Sequence, residues 1–177
     1  LRWWIGLHNV MMPNAELLEQ IWQQLIHARA DASIHIQIAP NRLIKRYLGL
    51  AYIVNDIMPA ETYHVLWQGE PVVQLTSDDR LIFEPVKGQG IAQDKLANHA
   101  LRIRLREGSE RFRPELGRPS RTLKHILQTH KIPPWQRGRI PLLFIDETLV
   151  CIPNIGVDAS VAAQPEEMGV LIRWECM

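Results

Sequence analysis

Apolar residues in "NAELLEQIWQQLIHARA" recur every three or four positions: Leu17, Leu18, Ile21, Trp22, Leu25 and Ile26. That spacing lines one face of a helix and predicts a stripe packed into a core. Asn14 stands where a side-chain oxygen can accept one of the orphan N–H groups of the first turn. Glu16 follows in that turn, where the helix dipole favours an acid. Ahead of it, residues 1–9 read as the tail of another helix, closed by "NVMMPN". Because Leu1 already lies inside a helical pattern, a fragment of a longer protein is expected. After "RADAS" the period drops to two. "IHIQIAPNRLIKRYLGLAYIV" predicts two or three short strands, with turns at Pro40-Asn41 and around Gly49. "YHVLW", "EPVVQL" and "LIFEP" carry strand character on to about Glu84.

The stretch "PVKGQGIAQDKLANHA" is rich in glycine and polar residues and reads as a linker, with a domain boundary between residues 88 and 98. Beyond it "ALRIRLRE" alternates strictly. Leu101, Ile103 and Leu105 point one way and Arg102, Arg104 and Arg106 the other. "SRTLKHILQTHK" predicts a helix capped by Ser120, with Leu123, Ile126 and Leu127 as its apolar line. Pro133 and Pro134 stop it. "PLLFID" and "LVCIPNIGVD" predict a hairpin around Glu147-Thr148, and "GVLIRWE" a last strand. The expected fold is α+β. A helical segment with short antiparallel strands fills residues 1–90, and a small α/β domain of strand, helix, hairpin and strand fills residues 98–177.

Composition narrows the class. Apolar residues make up 46 % of the chain, enough for a real core. No apolar run approaches the roughly 18 to 20 residues that span a bilayer. No charged and apolar leader opens the sequence. The expectation is a soluble cytoplasmic protein. Cys151 and Cys176 lack CxxC spacing and are expected to be reduced, mostly buried thiols. Catalytic signatures are missing. Gly88-Gln89-Gly90 lacks the Lys-Ser/Thr of a phosphate loop. No HExxH or calcium-loop pattern occurs. The histidines are scattered, and no serine sits in a nucleophile-elbow context. No metal site and no catalytic residue is expected in these 177 residues.

Charge is what stands out. Net charge is +1, yet it is unevenly placed. Between Arg102 and Arg139 there are eleven basic and three acidic residues, while the segments on either side are net acidic. Such asymmetry is either a solvated face or the footprint of a polyanion. Arg111, Arg113, Arg118, Arg121 and Lys124 carry the charge through a loop into a helix start, where unpaired N–H groups also suit phosphate. Arginine forks onto phosphate with two hydrogen bonds. Trp135 could stack on a base or anchor the hairpin. An acidic protein partner docked on a non-catalytic structural module would use the same charges.

One resemblance decides among these. "RFRPELGRPSRTLKHILQTHKIPPWQRGRIPLLFIDETLVCIPNIGVD" closely resembles the C-terminal domain of the bacterial tRNA(Ile)-lysidine synthetase family. Residues 1–32 are similar to that family's helical substrate-binding region, and "IKRYLGLAYIV" to its arginine-tyrosine hairpin. The resemblance implies an ATP-dependent carbon–nitrogen ligase. Such an enzyme adenylylates the wobble cytidine of an isoleucine tRNA and attaches lysine to it. The ATP, with magnesium, and the chemistry are implied for an N-terminal catalytic domain whose Ser-Gly-Gly-x-Asp-Ser loop is not in this sequence. The part in hand is implied to be inactive alone and to recognise tRNA, its C-terminal domain at the acceptor stem. Other implied partners are the catalytic domain itself and, left open, a second copy of the chain. Carried over residue by residue, Arg111, Arg113, Arg118, Arg121 and Lys124 match the family's basic motif. Arg137 and Arg139 match its "PPW.R.R" element. All seven are expected to bind tRNA. His125 stands where the family usually has a second lysine. Arg102, Arg104 and Arg106 are expected to add electrostatic support.

Overall fold

The structure, a computed structural model, describes residues 1–29, 34–56 and 62–176. The junction expected at "RADAS" lies mostly outside the described residues. The chain forms two compact units, Leu1–Pro59 and Ala60–Met177.

The first unit holds helices α1 (Arg2–Leu7) and α2 (Ala15–His27) and strands β1 (His35–Ala39), β2 (Arg42–Tyr47) and β3 (Leu50–Asn55). Asn14 caps α2 as its sequence suggests, its Oδ1 accepting the Leu17 N–H at 2.8 Å. The strands form an antiparallel sheet in the order β1-β2-β3. Two-residue turns at Pro40-Asn41 and Leu48-Gly49 join them, with positive φ at Asn41, Leu48 and Gly49. Ile36 and Ile44 face each other across β1 and β2 and pack with Ile5, Leu18 and Ile21 of the helices. The stripe of α2 is narrower than its pattern: Trp22 and Ile26 are about half exposed. At 100° per residue they lie one step round from Leu18 and Ile21, beyond the reach of a three-stranded sheet. Arg46 fixes the hairpin to the helix. Its guanidinium donates to the carbonyls of Leu25, at 2.9 Å, and Ala28, at 3.0 Å. Those groups close the C-terminal end of α2, where a cation is favoured.

The second unit begins with strands β4 (His64–Trp67), β5 (Val72–Gln74), β6 (Asp79–Lys87) and β7 (Ile91–Ala92), then helix α3 (Gln93–Asn98) and strand β8 (Leu101–Arg104). Strands β9 (Arg111–Phe112) and β10 (Arg121–Thr122) lead into helices α4 (Leu123–Thr129) and α5 (Pro134–Arg137). Strands β11 (Leu142–Ile145), β12 (Thr148–Ile152), β13 (Gly156–Val157) and β14 (Met168–Cys176) complete it. Three sheets result, in the orders β13-β12-β11-β8-β4, β5-β6-β14-β7 and β10-β9.

The five-stranded sheet is the middle layer. Leu101, Ile103, Leu143 and Ile145 pack one face against Leu81, Phe83, Ile91 and Ile172 of the four-stranded sheet. Leu142, Phe144 and Leu149 pack the other face against Phe112 and against Leu123, Ile126 and Leu127 of α4. All four residues of β11 are therefore buried. Leu127 is fully buried, and truncating such a leucine to alanine costs about 2–5 kcal/mol. The β11–β12 turn falls at Asp146-Glu147, with Asp146 at φ 51°, within a residue of the expected place.

The stretch expected as a linker is built into this unit. Its residues form the end of β6, β7 and α3, and β14 pairs with both β6 and β7. Strands before residue 90 thus share sheets with strands after residue 98, and the division of the chain lies near residue 59 instead. Its glycines serve packing. A Cβ on Gly90 would stand 2.0 Å from the Val170 carbonyl oxygen. The Gly88-Gln89-Gly90 backbone is pressed onto its neighbours and cradles no phosphate.

Candidate nucleic-acid interface

The basic segment folds as a ribbon leading into a helix. β9 and β10 pair antiparallel, with Phe112 opposite Arg121 and Arg111 opposite Thr122. Phe112 is buried and anchors the ribbon, while Arg111, Arg121 and Thr122 are exposed. Because residues 121–122 belong to a strand, α4 starts two residues later than its sequence suggests. Thr122, not Ser120, caps it, accepting the His125 N–H at 3.3 Å. The Ser120 hydroxyl and carbonyl instead accept from the Arg111 guanidinium, at 2.9 and 2.6 Å.

The six arginines and one lysine expected to bind tRNA fall into three groups. Arg121 and Lys124 are exposed and have no hydrogen-bond or ion-pair partner among the described residues. Arg111, Arg113 and Arg118 reach solvent but are tethered. Arg111 is held by Ser120, and Arg118 lies 2.7 Å from Glu115. Arg113 lies 3.9 Å from buried Asp158, which also accepts its backbone N–H at 2.8 Å. Arg137 and Arg139 turn to the protein. Arg137 donates to the Ile132 carbonyl at 2.8 Å. Arg139 lies 3.2 Å from Asp79, whose side chain is 8 % exposed. The structure brings the first five together around the ribbon and the start of α4, and fixes the last two in the scaffold. Trp135 is half-buried on α5.

The alternation of residues 101–106 is as its sequence reads, but the arginines do not stand as a bare row of like charges. Arg102 pairs with Glu147. Arg104 lies 3.8 Å over the Phe144 ring and pairs with Glu107 and Glu110. Arg106 lies 3.7 Å from Glu110. Glu110 is the hub of this loop. Its carboxylate accepts the backbone N–H groups of Glu107, at 2.8 Å, and Gly108, at 3.0 Å. Burial would raise its pKa; the backbone N–H groups and Arg104 outweigh burial and hold the carboxyl below its ordinary value. Its own carbonyl accepts the Leu123 N–H at 2.9 Å, so it also seats the first residue of α4. Nothing local in the sequence marks Glu110. Asp79 and Asp158 lie 60 and 45 residues from the arginines they hold, a separation at which no motif shows a pair.

Cys151 is buried, its thiol pushed up to about 12 by desolvation, and Cys176 is exposed. No group of three or more His, Cys, Asp or Glu among the described residues could hold a metal. No helix among them is long and apolar enough to cross a membrane.

Comparison with known proteins adds lineage to this geometry. Residues 101–174 match the family described as "TilS substrate C-terminal domain", and residues 1–52 match "TilS substrate binding domain". A tRNA(Ile)-lysidine synthase of Nitrosomonas europaea is 32 % identical over 177 residues, 98 % of this chain and 38 % of that protein. Its counterpart in Coxiella burnetii is 32 % identical over 171 residues, 96 % of this chain and 38 % of that protein. One from Salmonella newport is 31 % identical over 184 residues, with 98 % and 40 % covered. The chain spans about two fifths of the length of these relatives. The solved "Crystal structure of TILS C-terminal domain" is similar with a TM-score of 0.49 and 19 % identity, over 65 % of this chain and 98 % of that one.

Proposed function

The chain carries the substrate-binding and C-terminal domains of the tRNA(Ile)-lysidine synthase family, and from that premise we propose that it grips tRNA for a lysine-attaching ligase. The supporting observation is the pair Arg121 and Lys124. Two exposed cations without partners among the described residues stand where a strand turns into a helix, on a ribbon anchored by Phe112. Arg111 and Arg118 flank them, held by Ser120 and Glu115 in orientations a phosphate could share. The contacts are with the RNA backbone, which positions the molecule without reading its sequence. Arg137 and Arg139 serve by shape: they hold the segment after α4 to the scaffold. The RNA is an isoleucine tRNA and the site on it the acceptor stem. Adenylylation and lysine transfer, with ATP and magnesium, belong to sequence these relatives carry beyond the stretch they share with this chain. The complex works in the cytoplasm.

The test is a titration of the chain against an isoleucine tRNA and a methionine tRNA at several salt concentrations. The double variant Arg121→Ala, Lys124→Ala should bind more weakly. It should also show a log–log salt slope smaller by about 1.4 to 1.8, since each phosphate contact contributes roughly 0.7 to 0.9. An unchanged slope with an unchanged melting temperature sinks the assignment. Binding that an acidic protein competes away while tRNA does not would replace tRNA by a protein partner.

A further inference from the structure

Between β9 and β10 the basic ribbon carries a loop, residues 113–120, whose leucine the phosphate grip leaves unused. Residues 113–119 are all exposed, so the loop stands away from the core. Leu116 is 67 % exposed. Between Arg102 and Arg139 it is the one large apolar side chain left exposed among the described residues.

A lone exposed leucine is ordinary on a protein surface. This one ends a finger whose two feet are fixed. At the first foot, the Arg113 N–H donates to the buried Asp158 carboxylate at 2.8 Å, and the Arg113 carbonyl accepts the Ala159 N–H at 2.9 Å. Asp158 is held in turn. Its carboxylate accepts the Ser160 N–H and hydroxyl at 3.0 and 2.7 Å, and its own N–H donates to the Val150 carbonyl of β12 at 2.7 Å. At the second foot, the Arg111 guanidinium donates to the Ser120 hydroxyl and carbonyl. The tip is a tight turn from Glu115 to Arg118. The Arg118 N–H donates to the Glu115 carbonyl at 3.4 Å, and Gly117 sits at φ 78°, in the place a type II turn gives to glycine. Leu116 takes the place before it. Pro114 and Pro119 fix φ on either side of the turn. Arg118 and Glu115 pair at 2.7 Å, so the leucine is flanked by a neutral pair rather than by a bare acid. An apolar group thus stands at the tip of a stiff finger, with Arg111 and Arg121 at its base.

An RNA helix offers such a tip little along its length, where its grooves show phosphates, hydroxyls and polar base edges. Its broad apolar surface is the flat face of the last base pair, where the stack ends. We infer that Leu116 caps the open end of an RNA duplex, packing on the terminal base pair while the cations of the ribbon hold the phosphates beside it. The inference rests on the RNA reading proposed above and adds to it a preference for duplex ends over duplex interiors. Because the finger is formed before binding, contact demands little further ordering.

The test uses the whole 177-residue chain and two RNAs with the same short stem. One is a blunt duplex; the other is a dumbbell whose ends are both closed by stable tetraloops. The parent should bind the duplex more tightly than the dumbbell. Leu116→Ser should weaken the duplex about tenfold, as loss of a leucine's apolar contact implies, and leave the dumbbell within about twofold. Leu116→Met keeps the bulk and should stay within about threefold of the parent on both. A Leu116→Ser variant that spares the duplex, or weakens the two RNAs alike, overturns the cap, and so does a parent that binds the two equally. Arg121→Ala with Lys124→Ala reads the grip separately, since it should weaken both RNAs. If it does so while Leu116→Ser changes nothing, the cap falls and the grip stands. If it leaves both RNAs unchanged, the grip falls, whatever Leu116→Ser does.

Discussion

Replacing Arg139 by alanine removes the guanidinium that lies 3.2 Å from Asp79. Their side chains are 21 % and 8 % exposed, so the change leaves a carboxylate in a largely dry place. Breaking a buried ion pair from one side costs about 3–5 kcal/mol. The partial exposure of Arg139 and the Thr76 hydroxyl still donating to Asp79 at 3.3 Å reduce this to roughly 2–3 kcal/mol. The unit that contains the pair, Ala60–Met177, has an unfolding entropy of about 0.25 kcal/mol/K near its midpoint. Its melting temperature should therefore fall by about 8–12 °C. Asp79→Ala should cost a similar amount. The double variant should cost less than the two together, by about 1–2 kcal/mol, because neither charge is then stranded. Calorimetry on the chain reads all three, and a tRNA titration well below every midpoint reads binding. Within the scaffold role, binding at that temperature stays within about threefold of the parent. A variant Arg139→Ala that melts within about 2 °C of the parent yet loses tenfold in tRNA affinity would refute the argument and return Arg139 to the RNA.

Two further substitutions probe how the ribbon is built. Glu110→Gln should lower the urea midpoint at pH 7, since the Glu107 and Gly108 N–H groups and the Arg104 guanidinium lose a charged acceptor worth about 1–3 kcal/mol. The folded carboxyl titrates below its ordinary value, so its contribution is full above the unfolded range and is lost as pH falls through the folded value. The gap between parent and variant should narrow as pH falls below the ordinary carboxylate range; a gap that acidification leaves unchanged, or widens, contradicts the assignment. Thr122→Ala should cost about 1 kcal/mol through loss of the α4 cap, and Ser120→Ala clearly less, in the same denaturation experiment. The reverse order would place the cap where the sequence alone suggests it.

Much of the fold is legible residue by residue. The Asn14 cap, both tight turns of the first unit, the alternation of Leu101, Ile103 and Leu105, and the Leu123, Ile126, Leu127 line all follow from local periods and turn chemistry. What misleads is the glycine-rich stretch after Lys87. A glycine serves a flexible loop or a close backbone approach equally well, and only the partner strand tells them apart. At Gly90 that partner is β14, some 80 residues on. The same limit applies to Trp22 and Ile26. Their spacing places them on the apolar side of α2, but the width of the sheet beneath decides how much of that side is covered.

Charge is read least well, for a reason of the same kind. A run of eleven basic and three acidic residues looks like an unopposed cationic face. At least six of the eleven find an acid among the described residues: Arg102, Arg104, Arg106, Arg113, Arg118 and Arg139. Half of those partners, Asp79, Glu147 and Asp158, come from outside the run. A paired arginine at a half-exposed site can still turn to a phosphate, but it leaves one anion to reach another, and the exchange gains little. In the proposed grip on an RNA backbone, the cations without a nearby acid among the described residues carry the contact, Arg111, Arg121 and Lys124 foremost. Binding that engages only these three has a salt slope of about −2 to −3. A fully unopposed face of eleven charges would show a slope of about −8 to −10. The paired arginines act earlier in the chain of causes: they shape the ribbon and the loop on which Arg111, Arg121 and Lys124 stand.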